Sequence, residues 1–277
     1  MNAETRPLTT VSPEPGIAKP DPILVVDDLR RFFGGLRAVD VDHLEIQRGT
    51  ITSLIGPNGA GKTTLFNVLT GFDRPQHGHW HLNGGPLVGI PSFRVARRGM
   101  VRTFQLTKTL ARLSVLENML VAAKNHTGES FWGSLFGRWR HVEAANETKA
   151  LEALESFDLS HMAHDYAGSL SGGQRKLLEM ARALMVDPEI VMLDEPTAGV
   201  NPALTESLLK HITRLRDEGM SVVFIEHDMD VVHEISDWVV CMNQGQIIAE
   251  GPPASVARNT AVIDAYLGEH HGAIDDA

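Results

Sequence analysis

The feature that most constrains this chain is a glycine-rich stretch set between a short apolar strand and a helix. The buried-type run Ile51–Ile55 leads into Gly56-Pro57-Asn58-Gly59-Ala60-Gly61-Lys62-Thr63, and a helical segment from Lys62 to Thr70 follows, stopped by Gly71. Glycines there let backbone N–H groups approach phosphate oxygens, and the helix N-terminus behind them favours an anion. Lys62 is expected to reach the β and γ phosphates. The Thr63 hydroxyl is expected to bind Mg²⁺, with Thr64 a second donor to phosphate. A phosphate loop alone does not separate kinases, GTPases and ATPases, so the chemistry rests on what accompanies it.

Two further elements narrow it. The apolar strand Ile190 to Leu193 ends in Asp194 and Glu195. A carboxylate directly after a buried strand is well placed to hold Mg²⁺ through water, and its neighbour to orient an attacking water or take its proton. Upstream stands Leu170-Ser171-Gly172-Gly173-Gln174, opening a helix from Gln174 to Met185 that ends before Pro188. Ser171 is an expected N-cap, and Gly172 and Gly173 leave backbone N–H groups accessible, so the chain holds a second helix end suited to phosphate. A simple cap would explain the pentad by itself. It does not explain a phosphate loop, this pentad and a strand ending in Asp-Glu in one chain.

Around these motifs the pattern is α/β. From Ile23 to about Ile55 short alternating strands are separated by Gly34-Gly35 and Gly49, reading as antiparallel sheet. From about 106 to 169 the pattern is helical, with helices over Val115 to Ala123 and Glu143 to Phe157, reading as an inserted subdomain. Val222 to Ile225 is another buried strand, and Asp237 to Gly251 reads as a hairpin turning at Asn243 to Gly245. Residues 1–22, proline-rich, and 270–277 read as flexible tails flanking one domain, 23–269. In the stretch 131–139, Trp132, Leu135, Phe136 and Trp139 share helical spacing, fitting either packing or contact with a membrane or membrane protein.

A hydrophobic content of 43% and a charged content of 22% suit a globular protein. The net charge of −10 provides no footprint for nucleic acid, which argues against a phosphate backbone as the main ligand. No signal peptide is visible, and no apolar run approaches the roughly 20 residues needed to span a bilayer, so any membrane link passes through a partner. The single cysteine, Cys241, lies in the apolar run Trp238-Val239-Val240-Cys241-Met242 and reads as a buried strand residue, consistent with a reducing compartment.

With these motifs together, the chain from about Ile23 to Glu269 resembles the ABC transporter ATPase family. The resemblance implies a P-loop NTPase fold, a doubly wound α/β core with an antiparallel β subdomain and an inserted helical subdomain. It implies that residues 56–64 are the Walker A loop, Asp194 the Walker B carboxylate and Glu195 the catalytic base. Gln105, in Val101-Arg102-Thr103-Phe104-Gln105, matches the glutamine that reaches Mg²⁺ and the attacking water. The residues Ser171, Gly172, Gly173 and Gln174 match the signature motif, which in this family contacts the γ-phosphate bound by the opposite subunit. His227, in Ile225-Glu226-His227-Asp228, matches the switch histidine that holds the γ-phosphate. Phe33 looks like the aromatic that stacks on adenine, with Phe32 a rival and core packing an alternative for both. Two departures stand out: the stacking position is usually tyrosine, and the loop Ala198-Gly199-Val200-Asn201 ends in asparagine where the family usually has aspartate.

The implied cofactors are ATP and Mg²⁺. The implied partners are a second ATPase subunit, identical or not, integral membrane permease subunits and, indirectly, a solute-binding protein, all at the cytoplasmic face of a membrane. The strings Phe33-Gly34-Gly35-Leu36-Arg37-Ala38-Val39 and Ala265-Tyr266-Leu267-Gly268 look like ATPases of branched-chain amino acid importers, a pattern much shared by urea and amide importers and the lipopolysaccharide exporter ATPase. A soluble ABC protein of translation or DNA repair would carry two cassettes or a long coiled coil. A phosphate-loop kinase would leave the pentad at Ser171 unexplained.

Overall fold

The computed structural model describes residues 8–103, 109–123 and 139–272. The chain divides into two compact units, one formed by residues 1–102, 189–196 and 212–277, the other by residues 103–188 and 197–211.

The first unit holds two sheets. Strands β1 (Pro22–Phe33), β2 (Leu36–Gln47), β4 (His77–Leu82) and β5 (Gly85–Pro86) form an antiparallel sheet in the order β2-β1-β4-β5. The expected short strands are thus one long hairpin, extended by a pair not expected from sequence. Its strands bury alternate residues, as a one-sided sheet does. The second sheet has the order β10-β9-β3-β8-β7-β6, from β3 (Ile51–Ile55), β6 (Met100–Arg102), β7 (Ile190–Asp194), β8 (Ser221–Ile225), β9 (Trp238–Asn243) and β10 (Gln246–Gly251). Strands β3, β7 and β8 are buried at every position, which their unbroken apolar sequences anticipate for parallel strands covered on both faces.

Helix α1 (Lys62–Leu69) buries Leu65, Phe66, Val68 and Leu69 in one core with Leu24, Leu44 and Ile46 of the first sheet and Leu54, Met192 and Val240 of the second. The Trp80 indole donates to the Leu69 carbonyl at 3.0 Å, fixing the end of α1 to β4. The β9–β10 hairpin turns where expected, with Gln244 at φ 48° and Gly245 at φ 83°, the paired positive angles of a two-residue turn matching strand twist.

The N-terminal stretch corrects the expectation of a tail from Leu8 onward. Leu8 is buried, and the Ile17 N–H donates to Glu250 Oε1 at 3.0 Å. The Lys19 ammonium pairs with Glu250 Oε2 at 3.0 Å, and the Trp238 indole donates to the same oxygen at 2.9 Å. Burial lowers the Lys19 pKa, and the charge of Glu250 offsets part of that. Prolines suggested disorder, but a charge pair 231 residues apart in sequence decides otherwise.

The second unit is helical: α3 (Val115–Ala122), α4 (Trp139–Ser156), α5 (Gly172–Leu184) and the first part of α6 (Pro202–Asp217). It reaches beyond the expected 106–169 because α5 packs on α3 and α4. Short helices α2 (Ser92–Arg97), α7 (Met229–Ile235) and α8 (Pro253–Val256) and the final α9 (Thr260–Gly272) complete the first unit. The described part of the expected C-terminal tail, through Gly272, is helix. Of the aromatic stretch 131–139, all but Trp139 lies outside the described residues.

Candidate active site

The parallel strands β3, β7 and β8 bring three sequence-predicted elements to one edge of the second sheet, beyond their C-terminal ends, where open α/β sheets bind ligands. At the end of β3 the glycine loop turns into α1 through Gly61, at φ 101°. A Cβ on Gly61 would lie 2.2 Å from the Ala38 carbonyl oxygen, and one on Gly56 2.0 Å from that of Met242, so neither position admits a side chain. The turn at Gly245 props the loop from behind: its N–H donates to the Ala60 carbonyl at 2.9 Å, and its carbonyl accepts from the Asp40 N–H at 2.8 Å.

No side chain caps α1, so its first N–H groups are oriented for an anionic ligand. Asn58, Gly59 and Thr63 are exposed at the mouth of the loop; Pro57 and Ala60 are buried beneath it. The Lys62 ammonium bridges back across the loop, donating to the Gly56 carbonyl at 2.5 Å and the Pro57 carbonyl at 2.8 Å. A cation held by two carbonyls of the glycine loop, at the start of a helix, suits phosphate oxygens.

At the end of β7, Asp194 is 6% exposed and bonded to Arg102 Nη2 at 2.6 Å. Glu195 follows in a left-handed conformation, φ 47°, with its N–H donating to the Ile225 carbonyl at 3.1 Å. That angle is costly for a residue with a Cβ, and such strain gathers where a side chain must be aimed. Glu195 is half-buried, unlike Asp194. At the end of β8, Glu226 is fully buried and accepts from the His227 N–H at 3.1 Å, while the His227 side chain is 66% exposed. Asp228 caps α7 by accepting from the Asp230 and Val231 N–H groups.

Among the described residues, no group of three or more His, Cys, Asp or Glu side chains is placed to hold a metal ion. The Thr63 hydroxyl and the Asp194 carboxylate are hard oxygen donors. That pair fits Mg²⁺, which usually takes one or two protein oxygens and completes its shell with phosphate and water. Gln105 lies outside the described residues.

Phe33 ends β1 and is 46% exposed, with the Arg31 guanidinium 4.0 Å from its ring centroid; Phe32 is more buried. The exposed ring with a cation on it is the better stacking platform of the two.

In the helical unit, Ser171 caps α5 as expected and does so reciprocally. Its hydroxyl accepts from the Gln174 N–H at 3.3 Å, and Gln174 Oε1 accepts from the Ser171 N–H at 2.9 Å. Gly172 faces open space, whereas a Cβ on Gly173 would lie 1.5 Å from Leu204 Cδ2. One glycine is open to a ligand and the other lies against the Leu204 side chain. Lys176 Nζ donates to the Ala198 carbonyl at 2.5 Å, and Asn201 Oδ1 accepts from the Leu204 N–H at 3.0 Å. Asn201 thus caps α6, a role that needs an acceptor oxygen and no charge.

Two residues that sequence reasoning assigned no role touch this machinery. Arg102 pairs with Asp194, and the Tyr266 hydroxyl accepts from the Gly56 N–H at 2.9 Å. Both stand in strings that carried the family resemblance, the only signal that marked them.

Comparison with known proteins identifies the family and the fold. The ABC transporter family profile matches residues 39–198, and the branched-chain amino acid ATP-binding cassette transporter profile matches residues 246–272. The chain is 44% identical to the high-affinity branched-chain amino acid transport ATP-binding protein BraF of Pseudomonas aeruginosa, over 90% of this chain and 98% of that one. It is 40% identical to the probable transport ATP-binding protein LivG of Archaeoglobus fulgidus, over 91% and 98%. Among solved structures, the ADP conformation of MJ1267, an ATP-binding cassette of an ABC transporter, superposes with a TM-score of 0.78 at 35% identity, covering 89% of this chain and 99% of that one. A nucleotide-free cassette superposes with a TM-score of 0.77 at 36% identity, covering 88% and 98%. With the phosphate loop, the carboxylate pair and the capped glycine helix in the family's order, the chain belongs to the ATP-binding subunits of ABC transporters, ATPases whose hydrolysis energises transport.

Proposed function

We propose that the chain energises import of branched-chain amino acids or a related small polar solute, working as a dimer on separate permease subunits at the cytoplasmic face of the membrane. Among the described residues no helix is long and apolar enough to cross a membrane, so the path of the solute is assigned to other chains. Identity of 38–44% to branched-chain amino acid transport ATP-binding proteins supports the solute class.

The observation that carries the catalytic reading is the alignment of the phosphate loop, the Asp194–Glu195 pair and His227 beyond the ends of neighbouring parallel strands. ATP lies with its β and γ phosphates on the α1 N-terminus and Lys62, and with adenine against Phe33. Mg²⁺, when bound at Thr63, Asp194 and Gln105, supplies charge neutralisation at the phosphates. Glu195 orients water for in-line attack on the γ-phosphorus and accepts its proton; the bond to the β–γ bridging oxygen breaks, leaving ADP and phosphate. His227 donates to the γ-phosphate oxygens. The Ser171–Gln174 helix end serves the ATP held by the partner subunit, which gives each dimer two shared sites and explains two phosphate-suited helix ends in one chain.

The test is Glu195→Gln, which preserves size and removes the proton acceptor. It is expected to bind ATP, shift to a dimer on gel filtration and hydrolyse at least about a hundredfold more slowly. Wild-type turnover in this variant would remove Glu195 from the mechanism. The solute class is tested by isolating the complex from native membranes and measuring leucine, isoleucine and valine uptake in cells lacking this chain. Unchanged uptake of all three would remove the branched-chain assignment.

A further inference from the structure

We infer that Arg102 is the counter-charge that closes Asp194 to a bare divalent cation, so that metal enters this site only together with nucleotide. The inference rests on the reading of Asp194 as the metal-binding carboxylate. Strand β6 lies beside β7 with Arg102 opposite Met192, and the Arg102 side chain reaches forward to Asp194. Nη2 donates to Asp194 Oδ2 at 2.6 Å, and Nη1 donates to Asn67 Oδ1 at 2.5 Å. The guanidinium lies 5.6 Å from the Phe66 ring centroid, and the two charged side chains are 4% and 6% exposed.

Charges so placed act strongly on each other because little water screens them. A carboxylate that holds metal does so by its negative charge, and Arg102 cancels that charge at contact distance. A lone divalent cation therefore gains little on approach. An arriving nucleotide brings its own negative oxygens, which restore the attraction and add ligands of their own. The planar guanidinium suits this better than an ammonium because its fork is anchored at a second point, Asn67, on the helix that begins with Lys62. The charge balance at Asp194 is thereby tied to the element that receives the phosphates.

The test uses Mn²⁺ as the probe, titrated by electron paramagnetic resonance into the nucleotide-free full chain. Arg102→Met is expected to bind one Mn²⁺ about tenfold or more tightly than the wild type. Arg102→Lys should stay close to the wild type, and Asp194→Asn added to Arg102→Met should abolish the gain. Because removing one partner of a buried pair destabilises a fold, Arg102→Gln, which keeps polar contact without charge, carries the same expectation if the methionine variant does not fold. Mn²⁺ affinity equal to the wild type in the uncharged variant, or a gain that survives Asp194→Asn, would overturn the inference. The underlying reading has a separate readout: if Asp194→Asn leaves Mn²⁺ affinity in the presence of ATP unchanged, Asp194 is not the metal carboxylate. If it weakens that affinity while the uncharged Arg102 variants gain nothing, only the role of Arg102 falls.

Discussion

The phenolic oxygen of Tyr266 accepts a hydrogen bond from the Gly56 N–H at 2.9 Å, joining the last helix of the fold to the first glycine of the phosphate loop. Tyr266→Phe keeps the ring and removes the acceptor. Leaving the Gly56 N–H without it costs about 1 kcal/mol, expressed where the loop must hold its shape for phosphate. ATP affinity should fall about fivefold with turnover at saturation nearly unchanged. Calorimetric titration with ATP and a kcat and KM comparison check it; an equal drop in kcat would place the effect in the chemical step instead.

Lys62→Ala removes a point charge from the phosphates, and Ser171→Arg fills the approach to Gly172 with bulk. Each variant alone is expected to lack turnover. Mixed dimers of the two contain one intact site and one doubly damaged site, so partial ATPase activity should return on mixing. If proven mixed dimers stay inactive, the two helix ends do not combine across subunits in the simple way proposed, or both sites must act together.

A Cβ on Gly173 would lie 1.5 Å from Leu204 Cδ2, so an added methyl has to displace the leucine side chain. Gly173→Ala should therefore destabilise the helical unit by about 1–3 kcal/mol, as overpacking does. Leu204→Ala in the same chain should return much of the loss. Denaturant unfolding of the two single variants and the pair gives the coupling; additive losses would mean the contact is not the cause.

Burial pushes the Cys241 thiol from its ordinary 9.0 up to about 12, with the charge of Lys62 opposing the shift. In the folded chain it should not react with a disulfide reagent at pH 8 except as fast as the protein unfolds. The folded value lies above the unfolded one, so between pH 9 and 12 the folded state keeps a proton that the unfolded state releases. Stability contributed by the buried neutral thiol is present below pH 9 and lost as pH rises toward 12. Cys241→Ala should flatten that part of the stability curve, which thermal melts across pH 8–11 would show.

What the sequence by itself determined are the features whose causes act within a few residues. The glycines of residues 56–61, the Ser171 cap with Gln174 three residues on, and the turn at Gln244-Gly245 each declare their backbone locally. The unbroken apolar runs of β3, β7 and β8 declare strands covered on both faces, and with them the sheet edge where Asp194, Glu195 and His227 stand. The tertiary structure alone decided the pairings that cross the chain. Arg102 meets Asp194 across 92 residues, Gly56 meets Tyr266 across 210, and Lys19 meets Glu250 across 231. No periodicity or cap specifies such partners, because a charge or hydroxyl acts on whatever the strand order places within bonding distance. The left-handed Glu195 belongs with them: its residue type disfavours that conformation, and the surrounding sheet, through contacts that include the Ile225 carbonyl, holds it there.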